Sequence, residues 1–504
     1  MKQLKFPAVA ALAAVVGCAS LPSVGPDYER PEFDVPECPL PDAGAPTTNV
    51  TATGEYKIAP AKSDGRVVIS KDQVAQWWNR FNDPVLVDLV QGAVTNNVGY
   101  RIAIARLEQS NWELLGSYAA FMPKFGIGAN WQRNWYRPNT ANGGGTYRHY
   151  NVTGALLDGD WEIDIFGGNR RKAEAALAMA ESAGWGVSDA WVSLTTQIGR
   201  RYIELRTVQE SLDVARTNLV LQIETYDILK SRLDSGIGDE LAVNQCAYIV
   251  EQTRASIPQL LVREDELKND LCILAGEMPG CLDDVLKPVA VKRDWLLAPQ
   301  KVESIPLDLI RARPDVRRAE RELAAATAEI GVAKALWFPK FFISGSVGFN
   351  TANSHRLFTL DSFMATLGPS VSWPIFRGGE IYASVKAAES KVAQAALAYE
   401  LAIENAYAEV RNAYCAYTQE YHRYQALRSA TKAATDAVTI SKDLYQNGLK
   451  DFNNVLDAQR SRLQFEDALV ASRGQITQNL LSLYGALGGG LAQETLDDED
   501  EEAE

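Results

Sequence analysis

Two kinds of hydrophobic periodicity alternate along this chain, and they do so twice. From Phe125 the apolar residues Phe125, Ile127, Ala129, Trp131 and Trp135 alternate with Gly126, Gly128, Asn130, Gln132 and Asn134, and Arg133 is the one break in the apolar face. A period of two sends successive side chains to opposite faces, so this stretch predicts a strand with one apolar and one polar face. The loop from Pro138 to Thr146, with Asn142-Gly143-Gly144-Gly145, turns the chain into a return strand ending near Trp161. In the second half Phe341, Ile343, Val347 and Phe349 alternate with Phe342, Ser344, Ser346 and Gly348. A loop through Asn353 and His355 then leads to a return strand from Phe363 to Trp373.

Between these hairpins the period changes to that of a helix. From Asn169 to Leu233 the chain has no proline, and Gly184, Gly186 and Gly199 are its only weak points. The corresponding stretch from Glu380 to Asn447 has neither glycine nor proline. At ~1.5 Å per residue each predicts on the order of 100 Å of helix. Ala173, Ala176, Ala180 and Ala183, with Ala383, Ala387 and Ala388, are small residues at helical spacing that allow close helix packing. Each long helix ends at a glycine suited to a left-handed cap, Gly236 or Gly448. A new helix then begins near Asp239 or Asp451, where an acid suits the positive helix start.

These marks keep step. Pro123 in Phe121-Met122-Pro123-Lys124-Phe125 and Pro339 in Phe338-Pro339-Lys340-Phe341 are 216 residues apart; Gly236 and Gly448, and Gly276 and Gly488, are 212 apart. Ile165-Phe166-Gly167-Gly168 likewise answers Ile375-Phe376-Arg377-Gly378-Gly379. The chain is therefore two copies of one unit, each joining long helices to a short amphipathic hairpin.

The N-terminus bears on destination. Lys2 and Lys5 precede an apolar run from Phe6 to Gly17, too short for a bilayer span of roughly 20 residues, and it reads as a cleaved export signal. The run ends in Val15-Val16-Gly17-Cys18, which resembles a bacterial lipobox whose cysteine becomes thioether-linked to diacylglycerol; Ala19 follows, without the Asp that retains lipoproteins at the inner membrane. The resemblance implies an outer-membrane lipoprotein anchored at Cys18. No second apolar run is long enough for a membrane helix, so entry into a membrane must be by strands.

Four strands, each about ten or more residues long, match what a tilted membrane strand needs. Trp131, Trp135, Tyr136, Trp161 and Trp373 near strand ends suit aromatic girdles. Four strands cannot close a barrel, and an open edge in lipid leaves backbone groups unpaired at several kcal/mol each, so several chains must share one barrel. Two copies give eight strands and a filled interior, whereas three give twelve and room for a passage.

Charge and chemistry exclude other classes. The formal charge is -14, with seven acidic residues in Asp497 to Glu504, which removes any electrostatic case for nucleic acid and marks a solvated tail. Among Cys38, Cys246, Cys272, Cys281 and Cys415 there is no metal-ligand spacing. Cys272 and Cys281 flank Gly276-Glu277-Met278-Pro279-Gly280 and are a candidate periplasmic disulfide pair, decided by distance in space. No HExxH, GxSxG or GxxxxGK motif occurs, and His149, His355 and His422 are far apart in sequence. The reading is therefore of no enzyme, with no catalytic, cofactor or metal residues.

Val24-Gly25-Pro26-Asp27-Tyr28, Trp77-Trp78 with Phe81, Asp83-Pro84 and Leu86, and Arg313-Pro314-Asp315-Val316 together resemble signatures of the outer-membrane factor family. This is the TolC-like group, and most closely its lipoprotein, NodT/OprM-type efflux branch. Asn96, Ala103, Ala105-Arg106 and Trp161 to Gly167 continue the match, which runs from Val24 to Gly488. The resemblance implies an α+β membrane protein. Its homotrimer would build a twelve-stranded outer-membrane β-barrel, four strands per chain, continuous with a long periplasmic α-helical barrel ringed by an equatorial belt.

The domains expected are a signal peptide 1–17, a lipid-anchored N-terminal and equatorial segment 18–75, and a first repeat 76–280 with its β-hairpin at 124–161 and tip at 235–241. An equatorial linker 281–304, a second repeat 305–490 with hairpin 340–373 and tip 447–453, and an acidic tail 491–504 follow.

The resemblance further implies an efflux exit duct that receives small molecules from an inner-membrane RND-type pump through a periplasmic adaptor, a membrane fusion protein. Gly236, Asp239, Gly448 and Asp451 mark its docking tips. Asp457-Ala458-Gln459-Arg460 resembles the family's periplasmic gate, in which an acid and an arginine hold a closed iris; Asn453 stands one turn earlier in place of a frequent leucine, weakening the apolar part of such a seal. The alternative for Asp457 and Arg460 is an exposed i, i+3 pair worth a few tenths of a kcal/mol. A duct for type I protein secretion shares the fold, and a pore-less periplasmic scaffold anchored at Cys18 shares the helices; the lipobox and the Val24 to Tyr28 signature favour efflux.

Overall fold

The computed structural model describes residues 23–31, 76–136, 148–288 and 310–489. The signal 1–17, Cys18, Cys38, the loop at 138–146, most of the 281–304 linker and the tail 491–504 lie outside the described residues. Seven α-helices and four strands are seen among the described residues: α1 (Pro84–Asn96), α2 (Val98–Tyr118), β1 (Lys124–Tyr136), β2 (Arg148–Ile163), α3 (Gly168–Asp234), α4 (Glu240–Ala275), α5 (Pro314–Ala335), β3 (Lys340–Thr351), β4 (Phe363–Ser372), α6 (Glu380–Gln446) and α7 (Phe452–Ala486). None of these helices is long and apolar enough to cross a membrane. The described residues divide into two compact units, one falling within Met1–Glu32, Arg106–Gly184 and Arg318–Glu400, the other within Phe33–Ala105, Trp185–Arg317 and Leu401–Glu504.

The first unit is built on one antiparallel sheet in the order β1-β2-β3-β4, so the hairpins of the two copies join through β2 and β3. Its register aligns the apolar positions: Phe125 faces Gly159, Leu157 faces Ile127 and Val347, and Val347 faces Ala365. Directly paired residues share a face, so one side of the sheet is apolar and the other carries Asp158, Asp160, Ser344, Ser346 and Thr366. The copies also share an anchoring bond. Trp161 donates from Nε1 to the Phe121 carbonyl at 2.9 Å, and Trp373, 212 residues later, donates to the Trp337 carbonyl at 3.0 Å.

At the strand-to-helix junction Asp164 accepts from the Arg170 amide at 2.9 Å, which places an acid at the positive start of α3. The N-terminal segment is strapped here. Val24 donates to the Phe166 carbonyl at 3.1 Å, Arg171 reaches the Val24 and Gly25 carbonyls and Asp27, and Arg30 pairs with buried Glu320 at 3.2 Å. Gly25, at φ 114°, lies so close to Gly331 that a Cβ would come within 2.5 Å of the Gly331 Cα.

In the second unit a 3-10 turn, Trp77–Phe81, drives Trp77 into a core with Leu86 and Leu89 of α1, Ile198 and Tyr202 of α3, Leu267 of α4 and Ile476 of α7. Asp83 caps α1 by accepting from the Val85 amide at 3.1 Å and also accepts from the Tyr202 hydroxyl at 2.7 Å. Gly199 is not a weak point of α3 but a seat for Trp77, whose ring occupies the place of a Cβ. α3 and α6 are both 67 residues long.

Two further sequence expectations meet the structure here. Cys272 is buried and Cys281 exposed, and both are free thiols; Cys272 lies in the last turn of α4, where its carbonyl takes the Glu277 amide at 2.8 Å in the Gly276 cap. Of the small residues on α6, Ala388 is buried within the chain, whereas Ala383 and Ala387 face outwards.

Candidate functional site

The two helical hairpins of the second unit, α3–α4 and α6–α7, end in matching turns. Gly236 and Gly448 adopt φ 74° and 70°, and the amides that follow close each helix in the same pattern: Ile237 to the Arg232 carbonyl at 3.1 Å and Leu449 to the Leu444 carbonyl at 2.9 Å. A left-handed residue is required at that place, which glycine takes without steric cost. The N-caps differ. Asp239 accepts from the Leu241 amide at 3.0 Å, but the Asp451 side chain makes no capping bond, and it is the Asp451 carbonyl that takes the Asn454 amide at 3.2 Å. Helix capping therefore accounts for Asp239 and leaves the Asp451 carboxylate exposed at the turn.

Beneath the turns the two hairpins share a small core of Leu229, Val243, Cys246, Ile249, Phe452, Val455 and Leu456. Phe452 packs edge-on to Tyr445 at 5.2 Å between ring centroids. Asn453 points outwards, and its neighbours Phe452, Val455 and Leu456 bury the apolar side of the helix.

Asp457 and Arg460 form an i, i+3 pair at 3.8 Å with both side chains largely exposed. Arg460 does more than pair. Its Nη2 donates to the Tyr248 hydroxyl, and its guanidinium carbon stands 5.3 Å from the Tyr248 ring centroid. Tyr248 was absent from the sequence reading although a signal existed, since it is the 212-residue counterpart of Arg460. Arg460 also borders a groove of about 900 Å³ between α3, α4 and α7, lined by Gln222, Gln252, Thr253, Gln464 and Asp467. Burial and the adjoining Glu466 push the Asp467 carboxyl above its ordinary range. Among the described residues no group of three or more His, Cys, Asp or Glu side chains is placed to hold a metal.

The sequence matches the family model described as "Outer membrane efflux protein" over residues 89–276 and 306–489. It is 30% identical over 435 residues to a "Nodulation protein T" of Rhizobium leguminosarum bv. trifolii, covering 85% of this chain and 90% of that protein. It is also 28% identical over 474 residues to "Outer membrane protein OprJ" of Pseudomonas aeruginosa, covering 93% of each. Among solved structures, the outer-membrane channel OprN superposes with a TM-score of 0.80 at 28% identity, covering 93% of this chain and 99% of that one. Long helices and, among the described residues, four strands in a single sheet, an internal repeat and this likeness to an outer-membrane channel lead to one assignment: the chain belongs to the outer membrane efflux protein family.

Proposed function

We propose that three copies of this chain, each lipid-anchored at Cys18, form the outer-membrane exit duct of a tripartite efflux system. The observation that carries this reading is the sheet. It has one apolar face and two open edges, β1 and β4, in a chain of the efflux family. In lipid, unpaired strand edges cost several kcal/mol per group, and pairing β4 of one copy with β1 of the next closes a twelve-stranded ring whose polar face lines a passage. α2 supports the same assembly. Val98, Ile102, Trp112 and Leu115 are exposed on it, and of its residues only Ser117 is buried within the chain, which leaves a face for a neighbouring copy to cover.

The tips at Gly236 to Asp239 and Gly448 to Asp451 are the surfaces that dock a periplasmic adaptor, and Asp457, Arg460 and Asn453 belong to the gate. Energy comes from an inner-membrane RND-type pump, and the duct does no bond chemistry. Opening is a change between two packings of the tip helices, biased by a few polar contacts that are released without dismantling the apolar core beneath them.

A photo-cross-linker at Asn453 in otherwise unaltered cells tests this. Capture of an adaptor that co-purifies with a proton-driven pump is the expected result. Capture of an ABC exporter's adaptor would reassign the duct to protein secretion, and cross-links only between copies of this chain would favour a scaffold.

A further inference from the structure

The apolar face of the sheet is interrupted by a notch. Gly159 of β2 and Gly345 of β3 are directly paired, flanked by Phe125 of β1 and Leu367 of β4. Two adjacent positions without side chains open a cavity of about 460 Å³, mostly apolar, with Pro123, Leu157, Ile343 and Val347 in its walls. That volume falls in the range of small-molecule sites, roughly 300–1,000 Å³. Phe125 and Leu367 lean over the glycines: a Cβ at Gly159 would lie 3.0 Å from the Phe125 ring, and one at Gly345 would lie 3.1 Å from the Leu367 methyl.

The N-terminal segment comes down beside this face. Ser23 lies against Gly167, Val24 is bonded to the Phe166 carbonyl, and the Phe166 ring stands 4.7 Å from that of Phe338 and 6.4 Å from that of Phe341. Phe341 shares its face with Ile343 and Gly345, since strand side chains alternate with a period of two. From Phe341 to Gly345 the strand advances ~13 Å. Cys18 precedes Ser23 by five residues, a reach of at most ~18 Å.

We infer that the notch at Gly159 and Gly345 seats an acyl chain carried by Cys18. The anchor is then packed on this chain's own sheet instead of lying free in the bilayer. The inference rests on the reading that Cys18 is acylated and that the apolar face meets lipid. The site suits a hydrocarbon chain: it is mostly apolar and lies on the face of β3 that carries Phe341, within the span that the residues between Cys18 and Ser23 can cover. Being tethered, the chain meets the notch at an effective concentration that a free lipid must match from bulk.

The test uses the full-length lipoprotein from cells grown with a diazirine-bearing fatty acid. After irradiation of intact outer membranes, peptides carrying acylated Cys18 are isolated and their cross-linked partners sequenced. Cross-links to β1 at Phe125 or to β4 at Leu367 are expected, falling at least tenfold in Ala365→Trp, which fills the notch. Val347→Phe serves as a second filling variant should the first fail to assemble. Acylated Cys18 cross-linked only to phospholipid, or filling variants that leave the cross-links unchanged, would overturn the notch and leave the anchor standing. Cys18 found unmodified by intact mass would overturn both.

Discussion

Arg460 and Tyr248 touch each other from equivalent positions of the two copies, 212 residues apart in the chain. The repeat has thus placed different residues at one position, a cation in one copy and a phenol in the other, and folded them face to face. Arg460 is further tied to Asp457 at 3.8 Å. The contact joins α4 to α7, so under the gate proposed above a movement that parts these two helices must break it. A cation over an exposed ring contributes ~0.5–1 kcal/mol, and a hydrogen bond from a charged donor adds ~1.5 kcal/mol or more.

Arg460→Ala removes both terms and Tyr248→Phe only the second. In planar bilayers the purified duct is therefore expected to open more often in Arg460→Ala than in Tyr248→Phe, and more often in either than in the natural protein. If the open probability is the same in all three, the contact does not bias the proposed gate.

Two glycines of α3 are predicted to respond oppositely to one substitution. At Gly199 a Cβ would run into the Trp77 ring and come within 3.0 Å of Leu481, whereas at Gly184 nothing lies within 4 Å in the chain. Gly199→Ala overpacks a buried seat and is expected to cost ~1–3 kcal/mol. Gly184→Ala raises helix propensity in open space and is expected to gain ~0.5–1 kcal/mol. Thermal unfolding in detergent reads both; a lowered midpoint for Gly184→Ala would mean that a neighbouring copy packs against that position.

The contrast between those glycines marks what periodicity could reveal. The strands at Phe125 and Phe341 and the turns at Gly236 and Gly448 were legible because their signals are local: a period of two, or one glycine where only a left-handed residue closes a helix. Gly199 read as a weak point because its partner, Trp77, is 122 residues away. Tyr248 was missed for the same reason, although the repeat spacing pointed to it from Arg460. Asp451 read as a cap from its place alone, yet capping depends on a rotamer that sequence does not encode. The groove beside Arg460 needs three helices at once, and the register that aligns Gly159 with Gly345 is a property of two hairpins that meet only in the folded sheet.

Arg313 is expected to be replaced by another cation only at a cost in stability. It is buried, donates from Nη1 to the Ala486 carbonyl at 2.6 Å, from Nε and Nη2 to Asp315 at 3.0 and 2.7 Å, and from Nη2 to Glu409 at 2.7 Å. The Ala486 carbonyl belongs to the last turn of α7, so the cation also meets the negative end of that helix. A lysine ammonium cannot reproduce the planar fork. Arg313→Ala is expected to lose ~2–4 kcal/mol and Arg313→Lys about half of that. Denaturant titration followed by tryptophan fluorescence measures both, and a lysine variant as stable as the natural protein would show that charge alone suffices.

The described thiols are expected to separate by burial and by pH. Cys281 is exposed, Cys415 partly so, and Cys246 and Cys272 are buried. Burial pushes the Cys246 thiol up to about 11, and its Sγ donates to the Gln222 carbonyl at 3.7 Å. A group whose folded pKa is raised contributes stability that is fully present below its unfolded pKa and is lost as pH climbs through the folded value. For Cys246 that window runs from the ordinary thiol range near pH 9 up to about 11. At pH 8, iodoacetamide followed by peptide mapping should therefore label Cys281 first and Cys415 more slowly, with Cys246 and Cys272 reacting only on unfolding. Above pH 9 the stability of the natural protein should fall more steeply than that of Cys246→Ala, by on the order of 2 kcal/mol across the window. Identical slopes would mean that the tip core admits water around Cys246, and an unreactive Cys281 would mean that it is bridged in the mature protein.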